Sequence, residues 1–274
     1  MKTILHKYPF VSKFVLAIIL FGSALFISGI LNKGVVKRHF PYVSCLLLLM
    51  ATWFLYRLDK QSLKAIGLNF SLKNMSFLPI GVLVGAVTFL AARILRALYF
   101  GESIEISTSI NYSAILLSFY FILPQVTTEE FLFRGYLFQK TISITSIFLA
   151  NVIFSMLFML IHVFDENVLN NIGMMILLAV TIPVGHLLFA TALIKSKTLF
   201  FPIGIHLGNN WATRHIITDS DSGESILFIP DQINFDSWTP FIVMILLTNG
   251  FFLCITFLIW KWDKISEFIK RKNP

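Results

Sequence analysis

Residues 113–141 read SAILLSFYFILPQVTTEEFLFRGYLFQKT, an apolar run long enough to cross a bilayer that nevertheless carries Glu129, Glu130 and Arg134. A spanning helix needs about 20 predominantly apolar residues. A charge near its centre costs roughly 2.5–3.5 kcal/mol on insertion scales. Charges kept at that cost need partners inside the protein. The stretch therefore predicts a helix packed into a bundle that itself sits in a membrane.

The rest of the chain agrees. Of its 274 residues, 57% are hydrophobic and 13% charged, where a soluble domain is about a quarter charged. With a mean hydropathy of +0.80, the chain has too little polar surface to cover a globule in water. Hydropathy marks eight segments, 14–31, 41–57, 77–100, 113–141, 147–164, 168–194, 198–216 and 240–260. No repeat or long linker divides them. The expected fold is all-α, a polytopic transmembrane bundle of about eight spans forming one domain over residues 1–274, with a catalytic core at about 113–216. Leu63–Ser76 reads as a short interfacial amphipathic stretch. Lys2, Lys7 and Lys13 ahead of the run Phe14–Leu31 imitate a secretory signal, but no small-x-small site precedes Asn32, so this is read as an uncleaved first span. Cys45 and Cys254 both lie in apolar runs, which argues against a disulfide framework or a Cys-based zinc site.

The net charge of +8 would suggest nucleic acid in a soluble protein. Here its distribution speaks for topology and anionic lipid headgroups, and no nucleic-acid partner is expected. With the N-terminus inside, the inner loops receive Lys2, Lys7, Lys13, Arg57, Lys60, Lys64, Lys73, Lys140, Lys195, Lys197, Lys261, Lys264, Lys270, Arg271 and Lys272. The outer loops receive only Lys33, Lys37 and Arg38, together with most loop acids: Glu102, Glu105, Asp165, Glu166, Asp219, Asp221, Glu224, Asp231 and Asp236. Fifteen basic residues against three places both termini in the cytoplasm.

The polar residues inside the spans carry the chemistry. Glu130 and Arg134 stand four apart with the acid N-terminal, the favourable order for a helical ion pair. Glu129 lies about 100° around the helix from Glu130 and is spared from that pairing. Pro124 and a possible capping box from Thr127 to Glu130 suggest a helix that restarts inside the membrane, with Glu129 in its first turn. That role for Glu130 competes with the ion pair. In the next span Asn151, Ser155, Phe158 and His162 share one face, although a lone His on such a face is ordinarily a packing residue. His206 and Asn210, one turn apart, can reach the same hollow. A turn near Thr145 sets Glu129 and His162 at the same depth. His186, without a partner at helical spacing, reads as a packing residue. Arg93 and Arg96 read as snorkelling outward, Arg214 as an interfacial anchor, and Asp219–Glu224 as a solvated loop.

Glu129-Glu130-Phe-Leu-Phe-Arg134, Phe158-Met-Leu-Ile-His162 and His206-Leu-Gly-Asn-Asn210, in that order on successive helices, resemble the marks of the CPBP family, the CAAX-protease-like (Abi) intramembrane proteases. The resemblance covers about residues 60–216. It implies peptide hydrolysis without a covalent intermediate. Glu129 would be general base on a water held with His162, His206 and Asn210 would stabilise the oxyanion, and Glu130 and Arg134 would brace the helix with Phe158. The partners implied are a peptide or membrane-protein substrate and the bilayer. No cofactor is required by this reading. A catalytic zinc on Glu129, His162 and His206 is the alternative, since members of the family have often been labelled metalloproteases and three such ligands leave a position for water. The resemblance implies two settings, removal of C-terminal tripeptides from prenylated proteins or bacterial peptide maturation and bacteriocin immunity. The Ile-, Phe- and Lys-rich composition favours the second, in a bacterial plasma membrane. Two other classes also fit buried Glu, Arg and His: a proton- or ion-coupled transporter, and a non-catalytic immunity or scaffold protein.

Overall fold

The computed structural model describes residues 9–230 and 237–264. Lys2, Lys7, Asp231, Asp236, Lys270, Arg271 and Lys272 of the charge argument lie outside the described residues. Helix follows helix: α1 Pro9–Leu31, α2 Gly34–His39, α3 Val43–Leu58, α4 Leu72–Met75, α5 Phe77–Phe100, α6 Tyr112–Phe133, α7 Tyr136–Ile144, α8 Ile147–Val163, α9 Glu166–Leu169, α10 Ile172–Ser196, α11 Phe200–His215 and α12 Trp238–Trp260. Each of the eight apolar segments contains a helix. By length and composition, Phe10–Leu31, Leu72–Phe100, Ile172–Ser196 and Trp238–Trp260 each suffice to cross a membrane, while α3 and α8 are apolar but shorter. The interfacial stretch becomes a 3-10 turn at Leu63–Ile66 followed by α4. One departure from an all-helical chain is a small sheet of two-residue strands, β1 Glu105–Ile106, β2 Ile217–Thr218 and β3 Leu227–Phe228 in the order β1-β3-β2.

α1 shows how apolar sequence is divided between core and lipid. Ala17, Phe21, Ala24 and Ser28 are buried, at helical spacing. Ile18, Ile19, Phe26 and Ile30 on the remaining faces are exposed, as suits a helix with hydrocarbon around it.

The fourth apolar segment does break, but not where Pro124 suggested. α6 runs unbroken through Pro124 and Thr127 and stops at Phe133. A helical proline forfeits the bond to the carbonyl four residues back. That carbonyl, Tyr120 O, accepts instead from Tyr42 Oη at 3.1 Å, so the proline is tolerated. The break falls at Arg134–Gly135. A Cβ on Gly135 would stand 2.1 Å from Phe131 O, closer than any side chain allows. Glu129 is therefore in the last part of a helix rather than in its first turn, and the expected support from an N-terminal dipole is absent. The following turn sits where depth matching placed it. Thr145 closes α7, and Ser146 caps α8 by accepting from the Leu149 N–H at 3.1 Å.

α11 is the central helix, with Phe201 through Gly208 buried continuously. It lies against α5 at backbone contact. A Cβ on Gly85 would come 1.9 Å from Ile205 O, one on Gly204 2.3 Å from Leu78 O, and one on Gly208 2.0 Å from Val82 O. The pairs Gly81/Gly85 and Gly204/Gly208 form two small-xxx-small stripes, the means by which helices approach closely in lipid. The register of these contacts shows the two helices running in the same direction.

Charges collect at the two ends of the bundle. At one end Asp59 bonds Lys13 and Lys140, and Lys195 meets Asp263. There a cavity is lined by Lys64, Lys73, Lys195, Lys197 and Asp263. The other end holds the sheet with the ion pairs Arg93–Asp219 and Arg96–Glu102. Of the charges assigned to opposite sides, Lys13, Lys140 and Lys195 fall at the first end and Glu102 and Asp219 at the second.

Candidate active site

α6 and α11 meet at Glu130, whose side chain, like that of Arg134, has no exposure to solvent. Glu130 Oε1 accepts from Arg134 Nη1 at 3.1 Å and from His206 Nδ1 at 2.8 Å. The helical ion pair expected from the four-residue spacing is present, and it also holds a residue of α11. Among the described residues Arg134 Nε and Nη2 have no hydrogen-bond partner. The guanidinium carbon lies instead 4.4 Å from the centre of the Phe158 ring and 5.0 Å from that of Phe189. Aromatic faces are good surroundings for a desolvated cation. Phe189 also stacks on His206, with centroids 4.6 Å apart and planes 17° apart. His206 is thus fixed by a carboxylate at one nitrogen and by a ring on one face.

Its other nitrogen faces Glu129. Nε2 lies 3.7 Å from Glu129 Oε2, too long for a direct hydrogen bond and short enough for both to touch one further group. The Glu129 side chain keeps 17% of its surface exposed, and its Oε1 accepts from Gln125 Nε2 at 3.3 Å. Gln125 Oε1 in turn accepts from Arg214 at 3.4 Å. The two neighbouring glutamates have opposite surroundings. One is sealed against a guanidinium, and the other is open.

The remaining expectations are met unevenly. Phe158 packs edge-on to His162 with centroids 4.6 Å apart, and it also touches His206 at 6.4 Å. His162 is half-buried and bonds through Nδ1 to its own helix at Phe158 O, 2.8 Å away. Among the described residues it makes no ion pair or hydrogen bond with Glu129 or His206. Asn210 is half-buried, and among the described residues its side chain makes no hydrogen bond. Its neighbour Asn209 buries an unpaired Oδ1. His186 is fully buried, edge-on to Phe138 with centroids 5.7 Å apart, in keeping with a packing role. Arg93 and Arg96 reach acids of the loops assigned to the outer side, Asp219 and Glu102, the latter with no exposed surface. Asp219, Asp221 and Glu224 are exposed, and Asp221 also accepts from the Thr108 N–H at 3.1 Å and Oγ1 at 2.7 Å.

A metal site on Glu129, His162 and His206 does not fit this arrangement. Among the described residues no group of three or more His, Cys, Asp or Glu side chains is placed to hold an ion. The Nδ1 bonds leave Nε2 of each histidine free, but among the described residues these atoms and the Glu129 carboxylate are not gathered as a ligand set. Two contributors were missed from sequence. Gln125 could have been found from its four-residue spacing to Glu129. Phe189 gave no signal among 29 phenylalanines.

Residues 111–212 match the family model described as type II CAAX prenyl endopeptidase Rce1-like. They form an Rce1-like domain. The match runs from the start of α6 into α11 and takes in every site residue named above except Arg214. No curated protein and no solved structure matches the chain. Four helices long and apolar enough to cross a membrane, together with a domain similar to the Rce1-like endopeptidases, fit a multi-pass membrane protein of the intramembrane protease kind.

Proposed function

We propose that the Rce1-like domain hydrolyses peptide bonds with water activated by Glu129. The observation that carries this reading is the pairing of an open carboxylate with a histidine locked from behind. Glu130 and Arg134 hold His206 so that Nε2 faces Glu129 at 3.7 Å. Glu129 takes a proton from water as the oxygen attacks the carbonyl carbon. His162, whose Nδ1–H is used on Phe158 O, offers Nε2 as an acceptor to orient that water. The developing oxyanion is met by the amide of Asn210 and by Nε2–H of His206. Glu129 then passes its proton to the departing amine, the C–N bond breaks, and a carboxylate and an amine remain. A positioned base contributes roughly 10²–10⁴-fold, and oxyanion donors in a dry site a comparable factor.

The end rich in lysine is the cytoplasmic one on this reading, following the excess of basic residues, and both termini lie on that side. The peptide reaches the site from there. The setting we favour is peptide maturation or immunity in a bacterial plasma membrane, on composition. Purified protein in proteoliposomes should cleave members of a peptide library, read by mass spectrometry. Glu129→Gln should lower the rate by at least about a hundredfold. Equal cleavage by wild type and Glu129→Gln would discard the mechanism.

A further inference from the structure

Away from the paired glutamates, α5 and α10 each pack on α11 and α12 but hardly on one another. The gap between them is a cavity of about 490 Å³, a size typical of sites for organic ligands. Its walls follow helical spacing. On both helices the lining residues stand at offsets of three, four and seven, from Phe89 to Arg96 on α5 and from Met174 to Thr181 on α10. Each row covers about 10 Å at 1.5 Å per residue. Met174 lines the gap and is itself exposed, so the gap is open at that wall. None of Glu129, His162 and His206 lines it.

The two ends of the cavity differ. The deep part is mostly apolar, with Phe89, Leu177, Leu178 and Met244, and Thr181 there has its hydroxyl engaged by Asn249 Nδ2 at 3.3 Å. The mouth, beside the small sheet, is formed by Arg93, Arg96 and Asp219. The Arg93 side chain is 11% exposed, whereas that of Asp219 is 65% exposed. A guanidinium carries five N–H donors. Among the described residues Arg93 uses only Nη2, on Asp219. Phosphate oxygens are the acceptors that best fill such a fork. A bare anion would also meet the Asp219 carboxylate, which repels it and calls for a cation.

We propose that this cavity binds a phospholipid with an amine headgroup, phosphatidylethanolamine. One acyl chain fills the gap between α5 and α10. The phosphate takes the unused donors of Arg93, and the ammonium meets Asp219. Arg96 keeps its pair with Glu102, so no charge at the mouth is left without a counterpart. A headgroup with a phosphate and no amine would draw Arg93 away and leave Asp219 alone. The bound lipid thereby joins two helices that share neighbours but scarcely touch. The inference needs the chain to lie in a bilayer and is independent of the hydrolytic reading.

The test uses the full chain, purified in detergent and freed of lipid. It is titrated with phosphatidylethanolamine or phosphatidylglycerol of the same acyl chains and followed by native mass spectrometry and thermal unfolding. Phosphatidylethanolamine should stay bound as a single adduct and raise the unfolding temperature, as a ligand of the native state does. Phosphatidylglycerol should bind at least about tenfold more weakly, the lower range for one hydrogen-bonded charge. Asp219→Asn should bring the two affinities close together. Arg93→Gln should weaken both lipids roughly ten- to hundredfold, and Arg93→Lys should recover part of the loss. Leu178→Trp, which fills the gap and leaves the charges in place, should lose the adduct while still melting cooperatively without lipid. Equal retention of the two lipids by wild type, or a preference for phosphatidylglycerol, overturns the assigned headgroup. An adduct that survives in Leu178→Trp lies elsewhere and overturns the site. Displacement of the lipid by a prenylated peptide would also overturn it, because the cavity would then belong to the substrate path.

Discussion

At the scale of single residues, two adjacent carboxylates have been given different work by their surroundings, and that difference can be measured. Glu130 is sealed with Arg134, and removing one partner of a buried pair costs about 3–5 kcal/mol because the other charge is left uncompensated. Glu130→Gln should therefore lower the unfolding temperature of the purified protein by many degrees. Glu129 is partly exposed; among the described residues it accepts from Gln125 and lies 3.7 Å from His206 Nε2. Its Gln variant should unfold close to wild type, within roughly 0.5 kcal/mol, while losing activity. The reverse pattern in a thermal melt would exchange the two roles. The split itself was legible in sequence, because a four-residue spacing pairs one acid with Arg134 and turns its neighbour away. What sequence could not give is the second bond from Glu130 to His206. Its reach across 76 positions depends on how two distant helices pack, and no local pattern encodes that.

At the scale of elements, the apolar runs predicted where helices form far better than where they stop. A break is expected before the acidic motif, at Pro124, because proline is the usual helix breaker, yet the helix stops after the motif. The break falls at Gly135 because a hydroxyl from Tyr42 supplies the bond that proline lacks and because only glycine fits against Phe131 O. The α5–α11 contact was overlooked although both glycine stripes are visible at four-residue spacing, since hydropathy weighs glycine as nearly neutral. That contact positions the site, with His206 next to Ile205, whose carbonyl Gly85 touches. Gly85→Ala would set a Cβ 1.9 Å from Ile205 O, so the helices must separate, at a cost of about 1–3 kcal/mol for overpacking. Both the melting temperature and the cleavage rate should fall together. Gly250→Ala is the control, because nothing lies within 4 Å of its Cβ position. It should be neutral or stabilising by up to about 1 kcal/mol, through the lower helix cost of alanine. Equal melting of the two variants would remove close packing from the account of how His206 is held.

At the scale of the whole molecule, the lysine-rich end is fastened by one carboxylate that joins three helices. Asp59 follows α3 and bonds Lys13 of α1, and it accepts from Tyr136 Oη at 3.1 Å and Lys140 Nζ at 2.9 Å, both on α7. Burial pushes its carboxyl upward, but the hydrogen bonds from Lys13, Lys140 and Tyr136 outweigh it and hold Asp59 below the ordinary value of 3.8. A carboxyl lowered by folding stabilises the native state at every pH above its unfolded value. That contribution disappears as pH falls through the lower folded value. Wild type should accordingly be more stable than Asp59→Asn by a constant margin at pH 6 and 7, on the order of a couple of units above 3.8. The margin should shrink once the pH passes below 3.8, as the native carboxylate is protonated and the two proteins become alike. Chemical or thermal unfolding of both proteins across that range measures it. A margin unchanged in acid would mean that the three helices are joined by packing alone. A margin absent at neutral pH would mean that the two lysines gain as much from water as from Asp59. Because the charge argument assigns Lys13 and Lys140 to one side, the same experiment probes whether residues that orient the chain also hold its helix ends together.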